Sequence, residues 1–68
     1  RREMQAMVRV TVAGLDGPLA EAMQLRFLDG LRVHDAAVRA GCTRDTLHKR
    51  LRRAARAFRD LYYRAELQ

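Results

Sequence analysis

"GCTRDTLHKRLRRAARAFRD", residues 41–60, carries seven of the chain's fourteen Lys and Arg against only Asp45 and Asp60. Leu47, Leu51, Ala54 and Phe58 nevertheless recur through it at helical spacing. Gly41 fits a helix stop, because only glycine enters the left-handed region cheaply. Thr43 follows as an N-cap, and Asp45 in the first turn complements the helix dipole. From Arg44 to Gln68 there is neither Gly nor Pro. One helix of about 25 residues, about 37 Å long, is expected there. From Leu51 onward, Ala54, Phe58, Leu61 and Ala65 continue a 3-4-3-4 spacing like that of a coiled-coil seam.

The preceding residues supply partners for this helix. "RVHDAAVRA", residues 32–40, reads as a short helix with Val33, Ala36, Ala37 and Ala40 inward. "PLAEAMQLRFLD", residues 18–29, reads as another, opened by Pro18 and ended by Gly30. Its expected buried stripe is Leu19, Ala22, Met23 and Phe27, flanked by Leu25 and Leu28. "EMQAMVRVTVA", residues 3–13, supports two readings. Met4, Val8, Thr11, Val12 and Leu15 share a helical face, whereas Val8, Val10 and Val12 alternate as in a strand. Helix is preferred, because no second strand is available to pair with it.

The expected fold is therefore all-α: one domain over residues 1–68, with a helix-turn-helix core about residues 32–53. Residues 54–68 would form a dimerisation arm continuing a long C-terminal recognition helix. A chain of 68 residues buries only about 60 % of its unfolded surface, so a partner subunit would help it. The candidate dimer surface is Ala54, Phe58, Leu61, Tyr62 and Ala65, joined by the Met4/Val8 face.

Charge narrows the function. Residues 1–43 carry six basic and five acidic groups, a balance of +1. Residues 44–68 carry eight and three, a balance of +5, which together give the chain's +6. An excess gathered on one element is the footprint of a polyanion-binding surface. Two His and one Cys make neither a metal cluster nor a disulfide, and there is no Ser. No nucleophile–base pair or paired carboxylates stand out, so neither an enzyme nor a cofactor is expected. Apolar runs fall far short of the roughly 20 residues that span a bilayer. The setting expected is cytoplasmic and reducing, at the nucleoid, with no membrane partner. Cys42 reads as a plug in the turn.

Once Ala37, Cys42, Leu47 and Leu51 face inward, the opposite face shows Arg44, Asp45, His48, Lys49 and Arg52, with Arg53 at its edge. Arg and Lys can donate to guanine O6 and N7, Asp can accept from cytosine N4, and His can do either. These five are the candidate base contacts on double-stranded DNA. Arg32, His34, Thr43, Thr46, Arg50 and Arg53 are the candidate backbone contacts.

"LRFLDGL" (25–31) and "TRDTLHKRLRRA" (43–54) carry a resemblance. Residues 15–59 resemble the promoter-reading C-terminal domain of bacterial sigma factors. The same helix order is similar to small repressors of the plasmid TrfB (KorA) and fimbrial-adhesin PapB types. The resemblance implies base contacts at Arg44, Asp45, His48 and Lys49, and backbone contacts at Arg50, Arg52 and Arg53. Arg32 departs from it, standing where sigma factors usually place a Ser cap. The function expected is a bacterial, plasmid or phage transcriptional regulator, a homodimeric repressor. Two alternatives stand beside it: a sigma-factor domain working with RNA polymerase, and a basic module that meets an acidic protein.

Overall fold

The computed structural model describes residues 2–67, with side chains for residue 3 and residues 5–60. Four helices follow one another, and there is no strand among the described residues: α1 (Arg2–Gly14), α2 (Gly17–Met23), α3 (Val33–Ala40) and α4 (Arg44–Leu67). The fold is a compact all-α domain measuring 38 × 20 × 15 Å. Its long dimension is set by α4, whose 24 residues rise about 36 Å.

The helical reading of the first segment holds. Val8 and Thr11 are buried, Val12 and Leu15 half-buried, and Val10 is 55 % exposed. A strand with Val8, Val10 and Val12 on one face would have hidden Val10. The Thr11 hydroxyl, fully enclosed, donates to the Met7 carbonyl at 2.8 Å, and no buried side-chain polar atom among the described residues lacks a partner. Asp16 then caps α2: in extended conformation, it accepts the Leu19 N–H at 3.2 Å, and Pro18 occupies the first turn.

α2 does not continue as an α-helix to residue 29. It widens into a π turn, Gln24–Leu28, in which the Asp29 N–H reaches the Gln24 carbonyl five residues back at 2.8 Å. Gln24 Nε2 also donates to Asp29 Oδ1 across the same span. The extra residue in the turn changes which side chains face inward. Leu25 is buried with Ala22 and Met23, whereas Phe27 is 51 % exposed. The expected stripe is corrected at that point. Phe27, four residues beyond Met23, lines the same side but is left at its rim, half exposed, by the widened turn. Gly30, at φ 73°, ends the segment.

α3 begins one residue later than expected, with Arg32 extended as its N-cap and making no side-chain capping bond. It closes in a Schellman motif. The Gly41 N–H bonds the Val38 carbonyl at 3.1 Å and the Cys42 N–H bonds the Ala37 carbonyl at 3.0 Å, with Gly41 at φ 70°. Thr43 immediately caps α4: its Oγ1 accepts the Thr46 N–H at 3.1 Å. Three residues thus end one helix and start the next.

Two apolar clusters hold the domain, and α4 runs through both. Ala22, Leu25, Ala36, Ala37 and Leu47 form the first, edged by Leu31, Val33, Ala40, Cys42 and Leu51. Val8, Met23 and Ala54 form the second, edged by Val12, Leu15, Leu19, Leu28 and Phe58. Three alanines in the first cluster let α2, α3 and α4 approach closely.

Two predictions concern the turn. Gly41→Ala should cost about 1–2 kcal/mol, the penalty of a Cβ in left-handed backbone. A Cβ there meets nothing within 4 Å, so no clash adds to it. Thr43→Ala should cost about 1 kcal/mol through loss of the cap. Urea unfolding followed by circular dichroism measures both, and an unchanged midpoint for either would contradict the assigned geometry.

Candidate nucleic-acid interface

The outer side of α4 follows from its inner side. Leu47 and Ala54 are fully enclosed, and Leu51 and Phe58 are half-buried beside them. Arg44, Asp45, His48, Lys49, Arg52 and Arg53 are all exposed. Thr46 and Arg50 are half-buried at the margins.

Lys49, Arg52, Arg53 and Arg56 line a shallow cleft of about 280 Å³ on this side. They stand at i, i+3, i+4 and i+7, so successive turns stack four cations on one strip. Arg56 is the member that reading the sequence as a recognition helix followed by an arm leaves out. Its signal was the same spacing, continued one turn past Arg52 and Arg53. Arg59 is also exposed, one further turn along. Like charges so placed repel one another. Within residues 44–60 only Asp45 and Asp60 oppose seven cations, so a polyanion would relieve the strip.

The other expected contacts surround the start of α4. Arg32 is the N-cap residue of α3 with its side chain in solvent, and His34, two residues on in the first turn, is exposed. The Thr43 hydroxyl is engaged by the cap: it donates to Thr46 Oγ1 at 3.1 Å while accepting the Thr46 N–H. Cys42 is half-buried and packs against the first cluster, as a plug in the turn would.

The expected dimer surface needs one correction. Ala54 is 0 % exposed and sits between α1 and α2 in the second cluster, so it cannot reach a partner. The seam that resembles a coiled coil is, at Ala54, an intramolecular contact. Phe58 borders the same cluster and is half-buried by it. Leu61, Tyr62 and Ala65, like Met4, lie outside the residues whose side chains are described.

No group of three or more His, Cys, Asp or Glu suited to a metal ion occurs among the described residues. None of the described helices is long and apolar enough to cross a membrane. No protein-family model, curated protein or solved structure matches the chain.

Proposed function

We propose that α3, the turn and α4 act as a helix-turn-helix that binds double-stranded DNA in a sequence-specific way. The regulator so formed is a homodimeric transcriptional repressor of bacterial, plasmid or phage type. The observation that carries this reading is the exposed polar face beginning at Arg44, opposite the Leu47–Ala54 core. The Schellman turn and the Thr43 cap set its direction.

An α-helix with its side chains is about 10–12 Å across, matching a major groove about 12 Å wide. Arg44 to Arg56 spans about 18 Å along the axis, more than the groove width. The first two turns therefore enter the groove while the later cations reach its far wall. Arg44, His48, Lys49 and Arg52 present donors to base edges, with guanine O6 and N7 the best acceptors. Asp45 offers the complementary acceptor for a cytosine amino group. Arg53 and Arg56 meet phosphates, joined by Arg32 from the start of α3.

Phosphate neutralisation gives a second expectation. Each phosphate contact contributes about −0.9 to the slope of log K against log salt. Arg53→Ala or Arg56→Ala should each flatten that slope by about one contact and weaken all duplexes alike. The reading as a whole is tested by selecting bound duplexes from a randomised pool with the full chain. An enriched motif, better bound than the starting pool, is the expected result. Retention of duplex with no motif enriched would leave only a polyanion-binding surface.

A further inference from the structure

The cationic strip on α4 is longer than a groove-reading helix needs. Arg53, Arg56 and Arg59 recur every three residues, and all three are exposed. Each step rises about 4.5 Å along the axis, so Arg59 stands about 22 Å from Arg44. A straight helix cannot follow a winding groove for that distance. The first two turns face the groove floor, and farther along the same side of α4 meets a wall. Each wall of the major groove is the backbone of one strand. Arg53, Arg56 and Arg59 all lie on the solvent side of α4, away from Leu47, Leu51 and Ala54, so they address one wall and not both.

Three features of this stretch select a duplex backbone. From Thr46 to Arg59 there is no Asp or Glu, so no carboxylate inside the strip competes for the guanidinium groups. From Arg44 to Ala57 there is no Phe, Tyr or Trp, so unpaired bases find none of these rings to stack on. Among the exposed residues from Arg44 to Asp60, Ala55 is the one apolar side chain, too small to anchor a protein partner. A guanidinium, by contrast, pairs with phosphate oxygens through two parallel N–H donors.

Building on the DNA-binding reading, we propose that Arg53, Arg56 and Arg59 bind successive phosphates of one strand within each half-site, which makes Arg59 a DNA contact. The stretch beyond residue 54 then binds on its outer side, while Ala54 and Phe58 pack on its inner side. Asp60 ends the row. It is exposed next to Arg59 and four residues beyond Arg56, where its carboxylate repels any further phosphate.

Affinity of the full chain for a selected duplex, measured against salt concentration, tests the row. Arg59→Ala should flatten the slope of log K against log salt by about 0.9, the share of one phosphate, and Arg59→Lys should restore it. Asp60→Asn should tighten binding about twofold, a gain that a loosened fold would not produce. Single methylphosphonate linkages each remove one phosphate charge, and within a half-site they should weaken binding at adjacent positions of one strand. The linkage facing Arg59 should cost the Arg59→Ala variant nothing further. An unchanged slope for Arg59→Ala, where Arg53→Ala and Arg56→Ala flatten it, overturns the Arg59 contact while leaving DNA binding intact. So does the absence of any gain from Asp60→Asn. Sensitive linkages scattered over both strands of one half-site overturn the single-strand row. Failure of wild type to retain any duplex removes the DNA-binding reading itself, and the row with it.

Discussion

Leu47→Ala is expected to leave most of the chain unfolded at 25 °C. Leu47 is 0 % exposed and is one of the two largest fully buried side chains among the described residues. Leu→Ala in a core costs about 2–5 kcal/mol, and the upper part of that range applies where neighbours cannot collapse into the cavity. Three of its cluster partners are Ala22, Ala36 and Ala37, whose single methyl groups cannot reach across. A domain below about 70 residues rarely draws more than about 3–5 kcal/mol from its core, so a loss of about 4–5 kcal/mol matches or exceeds the whole of it. Urea unfolding with helical circular dichroism is the measurement. Leu51→Ala, at a half-buried position, should cost clearly less. A loss below about 1 kcal/mol for Leu47→Ala would contradict the packing of α4 against α2 and α3.

The second large effect is on binding. Arg44→Ala combined with Lys49→Ala removes two exposed side chains without touching either cluster, so helical content and unfolding midpoint should stay near wild type. If both read bases, each contributes about 1–3 kcal/mol of discrimination, about 2–6 kcal/mol together. Affinity for a selected duplex should then fall at least about 30-fold. Affinity for random duplex should fall less, since only general charge is lost there. Arg9→Ala removes one charge from the exposed side of α1 and should change affinity about twofold or less. Fluorescence anisotropy at fixed salt separates these outcomes. A double variant that binds the selected duplex as wild type does would exclude the start of α4 as the reading surface.

The parts of the fold legible in the sequence are those fixed by local chemistry. Gly41 is glycine because its φ is 70°, and Thr43 is threonine because a helix begins one residue later. Ala36, Ala37 and Leu47 turn inward at the spacing their periodicity gives, and the exposed face from Arg44 follows from them. The first helix was legible against its strand alternative only because no partner strand existed. Phe27 and Ala54 were not legible, for two different reasons. The exposure of Phe27 depends on one widened turn, and no residue in "QLRFL" announces a π turn in the way glycine announces a left-handed one. Ala54 lies on a 3-4 seam that fits a partner helix and an intramolecular neighbour equally well. Only the position of α1 and α2 beside it decides for the neighbour. The charged face was visible as a composition shift, but its length was not. Treating residue 54 as the start of a separate arm ended the strip one turn short of Arg56.

On the proposed reading, a duplex contacts the outer face of α4. Nuclear magnetic resonance titration of the full chain with a selected duplex tests it most directly, by tracking each backbone amide and arginine side chain. Shifts that saturate together should gather on the turn at residues 41–43, on Arg44 to Arg56 and at the start of α3. Val10 and Ala13, on the exposed side of α1, should stay still. Saturating shifts centred on α1 with Arg44, Lys49 and Arg52 unmoved, or no saturable shift at all, would contradict the claim.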